Sequence, residues 1–336
     1  MRSRLKYFLV GLALLCFSAT NSTELQEFKL NGYAQGTTYA ISYFAKDSVV
    51  TKPQIDSILN VIDLSMSLYK DNSTINRFNQ SDNGVAIDEH FSKVFKRAVD
   101  IYTDTQGLFD VTVAPLVQLW GFGPKKITSF PDSNAIKAIM PCIGMDKLAL
   151  KADVLVKDKK CINIDLNGIA QGYSVDVVAN FLIEKGIQVF VVEIGGELRA
   201  LGPKPNGLPI KIGIEGPTEN QYDEAKIKHV MSFTKGAVTT SGNYAKYLSD
   251  GSQKISHLID PKSGYPLQNE MISVTVFAKN AITADGYDNA LMAMNLQQAL
   301  AFVNARKELE AYFIYKMPNG KVADTLTTGF KKLILN

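Results

Sequence analysis

The sequence predicts an α+β fold: one domain of mixed or antiparallel sheets with packed helices. Three observations lead there. Apolar segments of strand length follow one another in hairpin-like succession, helical periodicities stand among them, and no long linker divides the 336 residues. A chain of this length can bury a large core.

Residues 28–44 alternate about Gly32 and Gly36 as two short strands. Thr51 and Pro53 open a helix with Ile55, Ile58, Leu59 and Ile62 at helical spacing. Phe91, Val94, Phe95, Ala98, Val99 and Tyr102 mark a second helix, ending before Gly107. Residues 162–166 read as a strand, followed by the turn Asn167-Gly168-Ile169-Ala170-Gln171-Gly172. A helix carrying Val175, Val178, Ala179 and Leu182 comes next, with Gly186 at its C-terminus. The apolar run 189–194 is a strand ending at Gly195-Gly196, and Pro203-Lys204-Pro205-Asn206-Gly207 is a surface loop. Further strands are expected at 210–214, 229–233, 255–259, 272–278 and 309–315, with helices from about Thr283, its expected cap, and Gln297.

Arg2, Arg4 and Lys6 precede an apolar run over 7–17 and a small, polar stretch over 18–23. This is the pattern of a secretory signal peptide, too short to cross a bilayer comfortably. Residues 1–22 are therefore read as the signal and 23–336 as the exported domain. Cys16 offers lipidation as an alternative, disfavoured by the bulky Leu14-Leu15 before it. Without residues 1–22 the chain has 33 basic and 33 acidic residues. Formal neutrality gives no electrostatic case for nucleic acid or an anionic membrane as partner. Cys142 and Cys161 then remain, as a disulfide or as two buried thiols. No Cys-x-x-Cys or His-rich spacing suggests zinc.

The densest chemistry runs from Thr239 to Ala290. It holds Thr240-Ser241-Gly242-Asn243-Tyr244, His257-Leu258-Ile259-Asp260-Pro261 and Ala284-Asp285-Gly286-Tyr287-Asp288-Asn289. Asp285, Asp288 and Asn289 are three and four apart and so share a helix face, where oxygen donors completed by water and phosphate suit Mg²⁺. Acids in the first turns of a helix are also favoured by its dipole, whatever the protein does. Asp165 with Gly168 and Gly172 sets a carboxylate and an accessible backbone at a strand-to-helix turn. Such glycines also serve geometry alone, and the turn is neither a Walker loop nor a dinucleotide fingerprint. His257 is either a satisfied structural residue or a base. Gly107 to Pro115 and Trp120-Gly121-Phe122-Gly123 could wall a planar ring or fill core.

Taken together and in this order, these segments resemble the ApbE family of FAD:protein FMN transferases. The resemblance rests on Gly36-Thr37-Thr38-Tyr39, Ser67-Leu68-Tyr69, Gly107 to Pro115 with Trp120 to Gly123, and Asp165 to Gly172 with Tyr173 and Asp176. It continues through Glu193-Ile194-Gly195-Gly196-Glu197, Thr240-Ser241-Gly242, Ser256-His257, Asp260-Pro261, Gly264, Pro266 and Ala284-Asp285. It implies a single T-fold-like domain that splits FAD, attaches FMN to a threonine or serine hydroxyl of a target protein through a phosphodiester, and releases AMP. It implies FAD contacts from Tyr69, Phe109, Asp110, Val111, Asp165, Gln171 and Ile259. Mg²⁺ would be held by the Gly168 carbonyl with Asp285, Asp288 and Asn289, with His257 and Asp285 as the catalytic pair and His257 as the base. Acceptors would be flavoprotein subunits of redox complexes or exported electron carriers, and the location the periplasm. Membrane association would follow only from lipidation at Cys16 or a membrane-bound acceptor.

Three residues depart from the family pattern. Gln35 stands where Met is usual and is expected to alter packing against the flavin. Gln171 replaces Lys or Glu, and Asn289 replaces Thr, its amide oxygen still able to ligate a metal. The alternatives are an FAD pyrophosphatase of the same fold, with water replacing the protein hydroxyl, and a non-catalytic periplasmic flavin-binding protein.

Overall fold

The computed structural model describes residues 24–217, 226–243, 247–249 and 254–335. Residues 1–22, expected to be a signal peptide, and Tyr244 lie outside the described residues. In chain order the strands are β1 (Gln26–Ala34), β2 (Thr37–Ala45), β3 (Gly84–Ala86), β4 (Leu148–Lys151), β5 (Val154–Lys157), β6 (Phe190–Ile194), β7 (Glu197–Leu201), β8 (Ile210–Glu215), β9 (Ile227–Phe233), β10 (Lys235–Gly242), β11 (Tyr247–Ser249), β12 (Lys254–Ser256), β13 (Met271–Ala278), β14 (Glu310–Lys316) and β15 (Val322–Leu326). The α-helices are α1 (Lys52–Met66), α2 (Thr74–Gln80), α3 (Glu89–Asp104), α4 (Ala114–Leu119), α5 (Ser133–Ile139), α6 (Ala170–Glu184), α7 (Ala281–Met292), α8 (Leu296–Asn304) and α9 (Thr328–Leu333).

Eight strands form one sheet in the order β1-β2-β6-β7-β10-β13-β14-β15, with each adjoining pair antiparallel. Alternation divides its side chains between two cores, as the period of two requires. Along β14, Ala311 and Phe313 face the core that also takes α3, α7 and α8, while Tyr312 and Ile314 face the layer of β8, β9 and α9. A further core joins β1, β2 and β6 to α1 and α6. Helix α7 is buried along nearly its whole length, between the sheet and the helices α3 and α6. That explains its apolar residues on every side.

A small cluster of Leu116, Trp120, Ile136 and Ile143 sits apart from the main cores. Cys142 beside it is bonded to Cys161, which resolves the choice between disulfide and thiols.

Three sequence expectations change. Residues 162–166 are not a strand: the Asn79 amide donates to the Ile164 carbonyl (3.0 Å) and accepts its N–H (2.8 Å), and Asp165 N–H donates to the Val111 carbonyl (2.8 Å). A side chain thus supplies the partners that a neighbouring strand would have given. The strand expected over 255–259 stops at Ser256, leaving His257 in a bend, and Ile259 makes only an isolated bridge to Pro266. Thr283 does not cap α7, which starts at Ala281 after Asn280. Asp285, Asp288 and Asn289 therefore lie beyond the first turn, where the helix dipole gives little reason for acids.

Candidate active site

A cleft of about 620 Å³ opens where the C-terminal end of β10 meets α7 and the start of α6. Sequence-predicted residues from five separate segments meet on its walls: Tyr69; Phe109, Asp110 and Val111; Asp165, Gly168 and Gln171; His257 and Ile259; and Asp285, Asp288 and Asn289. Gln35 is not among its lining residues. Its side chain donates to Ser174 on α6 (2.7 Å).

The floor comes from α7. Asp285 is 3% and Asp288 1% exposed, and Asp285 Oδ2 accepts the Gly172 N–H (2.8 Å). Gly172 allows this closeness, because a Cβ there would lie 2.5 Å from the Ala281 carbonyl oxygen and 2.7 Å from Asp285 Cβ. Glu197, at the start of β7, stands across from them and accepts from Gln171 Nε2 (2.5 Å), which also donates to the Ile194 carbonyl (2.8 Å). Gly195 makes room for that amide: its φ is +61°, and a Cβ would fall 2.0 Å from Gln171 Nε2.

These carboxylates are electrostatically frustrated. Burial, then the charge of Asp176, pushes Asp285 up to about 7, with the Gly172 N–H pulling the other way. Burial followed by the charge of Asp285 holds both Glu197 and Asp288 well above the usual carboxylate range. Among the described residues no Lys or Arg forms a salt bridge to any of the three. Burying like charges without a counter-ion is costly, and a bound cation relieves it. Asp110 and Asp165 are also raised by burial, the first against hydrogen bonds from Thr112 and the second against those from Asn167.

Asn289 is oriented otherwise than the sequence suggested. Its Nδ2 donates to the Gly168 carbonyl (3.3 Å), the Asp285 carbonyl (3.0 Å) and Asp288 Oδ1 (3.0 Å), while its Oδ1 accepts from Ser241 (3.3 Å). Ligation through Oδ1 therefore requires the amide to turn over. Among the described residues no group of three or more His, Cys, Asp or Glu is arranged as a metal cluster. The donor chemistry here is instead mixed oxygen, carboxylates with a backbone carbonyl and an amide, which fits a hard divalent ion that keeps some of its water.

His257 also lines the cleft, its ring edge-on to Phe122 with centroids 6.3 Å apart. The turn that follows it is held by Trp120, whose Nε1 donates to the Gly264 carbonyl (2.8 Å). Tyr69 stands 72% exposed at the mouth.

The ApbE family profile matches residues 35–313. The chain belongs to the ApbE family. Two curated relatives named FAD:protein FMN transferase illustrate how far the likeness extends. The Vibrio cholerae protein is 35% identical, covering 94% of this chain and 96% of its own, and the Escherichia coli K12 protein is 32% identical, covering 88% and 86%. The solved flavin transferase ApbE of Vibrio cholerae superposes with a TM-score of 0.82 at 34% identity over 92% of this chain and 99% of its own. The apo flavinyl transferase ApbE of Pseudomonas stutzeri gives 0.81 at 31% identity over 92% and 97%. The ApbE match spans the whole cleft.

Glu197 and Ser241, which in the sequence stand only within motifs and carry no expected role, also line the cleft. The signal available for Glu197 was an acid directly after Gly195-Gly196, a hairpin tight enough to turn β6 back as β7.

Proposed function

We propose that this cleft is where the enzyme transfers FMN from FAD to a threonine or serine hydroxyl of an exported acceptor protein, releasing AMP. The observation that carries the reading is the set of three buried, mutually repelling carboxylates beside the Gly168 carbonyl, in a family whose relatives act on FAD. Mg²⁺ would be held by Asp285 and Asp288 with the Gly168 carbonyl and, once its amide turns, Asn289. When bound it supplies neutralisation of the charge that develops on the diphosphate oxygens.

The chain's own residues do the rest. Tyr69, Phe109, Val111 and Ile259 offer aromatic and aliphatic walls for the rings, while Asp110, Asp165 and Gln171 give polar contacts that fix orientation. His257 takes the proton as the acceptor oxygen attacks the FMN-side phosphorus. The new P–O bond forms as the bond to the AMP-side oxygen breaks, and AMP leaves as the anion.

We assign residues 1–22 as the removed signal and the periplasm as the site of action. The Cys142–Cys161 disulfide supports an oxidising compartment, and among the described residues no helix is long and apolar enough to cross a membrane. The test is incubation of the protein with FAD and Mg²⁺, with and without an exported flavoprotein acceptor. AMP with a flavin-linked acceptor peptide is expected. AMP with free FMN in both cases would mean a pyrophosphatase, and unchanged FAD a binding protein.

A further inference from the structure

We propose that Asp176, neutralised by Arg199, is a positioning residue for this chemistry: it fixes the start of α7 and through it the place of Asp285 in the cleft. The inference rests on the reading of the cleft as the FAD site. Asp176 is 6% exposed, outside the cleft lining, and so acts through the helix.

Helix α7 is not capped by its own chain. Asn280, its N-cap residue, makes no side-chain capping bond, and its buried Oδ1 has no partner among the described residues. Asp176 from the middle of α6 does that work, accepting the Ala281 N–H at Oδ1 (3.0 Å) and the Ile282 N–H at Oδ2 (2.9 Å). Arg199 on β7 donates to the same Oδ1 (2.9 Å) and to Asn180 (3.1 Å), supplying the counter-charge that a buried carboxylate needs.

The arrangement is reciprocal. Four residues beyond Ala281, Asp285 caps α6 in turn by accepting the Gly172 N–H, and Asp176 lies four residues beyond Gly172. Each helix thus begins on a carboxylate of the other, one turn beyond that other helix's own bonded N–H, with their backbones in contact at Gly172 and the Ala281 carbonyl. The proposed metal donors ride on these two elements: Gly168 lies just ahead of α6, and Asp285, Asp288 and Asn289 lie on α7. Loosening the Asp176 end lets α7 move against α6, and the donors then part.

The test uses Asp176→Asn and Arg199→Gln in the whole mature chain. Asp176→Asn keeps the shape but loses one of the two acceptors. The brace predicts hydrogen exchange at least about tenfold faster in peptides covering the first turn of α7, with β1–β2 unchanged. It also predicts Mg²⁺ affinity, titrated calorimetrically with FAD, weaker by about tenfold, and kcat lower with KM for FAD nearly constant. Arg199→Gln moves each quantity in the same direction by less, and decides the matter if Asp176→Asn does not fold. Unchanged Mg²⁺ affinity and kcat beside a merely lower Tm would overturn the proposal and leave an ordinary structural ion pair. A wild-type protein that fails to split FAD refutes the functional reading, while the exchange and titration results still judge the brace.

Discussion

Replacing Asp285 by Asn is predicted to stabilise the metal-free protein while abolishing turnover. Burial and the charge of Asp176 push Asp285 up to about 7, against 3.8 for an ordinary aspartate. Between those values the folded chain holds a proton that the unfolded chain has lost. Stability is therefore fully present below about pH 4, falls by roughly 1.4 kcal/mol per pH unit as pH rises, and levels off above about 7. The difference of about three units sets an upper figure of roughly 4 kcal/mol at pH 8. Asparagine can still accept the Gly172 N–H and never ionises, so it avoids this penalty. With EDTA present, thermal melts should put Asp285→Asn several degrees above wild type at pH 8, with the gap narrowed to about a third at pH 5 and closing near pH 4. Mg²⁺ with FAD should raise wild type and leave the variant unmoved. A wild type whose stability rises from pH 5 to 8 in EDTA, or a variant that melts lower at pH 8, would refute the reasoning.

Other variants test separate parts of the site. His257→Gln should lower kcat by about 10² to 10⁴ with FAD affinity nearly unchanged, read by steady-state rates beside equilibrium FAD titration. Gly195→Ala should weaken FAD binding by about tenfold or more, because the new Cβ strikes Gln171 Nε2 and φ is +61°; flavin fluorescence quenching reads it. Reducing Cys142–Cys161, whose sequence separation is 19, should cost about 3 kcal/mol, seen as a lower Tm in dithiothreitol that a Cys142→Ser/Cys161→Ser double variant reproduces without reductant.

Much of this was legible in the sequence where one period or one motif dominates. The helix through Ile55, Leu59 and Ile62 follows from spacing alone because it buries one regular face, and β6 and β14 follow from short, nearly continuous apolar runs because both of their faces meet apolar cores. Residues 162–166 misled because apolar alternation cannot show that Asn79, some 85 positions away, would take the backbone bonds of Ile164. The start of α7 misled for a related reason: Thr283 looks like a cap, but the cap comes from Asp176 on another helix. The cleft residues were named from ordered motifs, and the fold brings them together. The orientation of Asn289 depends on Ser241 and the Gly168 carbonyl meeting in space, which no local pattern encodes.

The central claim is that oxygen donors from α7 and the turn before α6 hold a divalent ion on the diphosphate of FAD. Its most direct test is a crystal grown with FAD and Mn²⁺, with the metal located by anomalous scattering. The account predicts one manganese peak bonded to a carboxylate oxygen of Asp285, the Gly168 carbonyl and a phosphate oxygen, with the flavin between Tyr69 and Phe109. A peak elsewhere, or FAD bound outside this cleft, would contradict it.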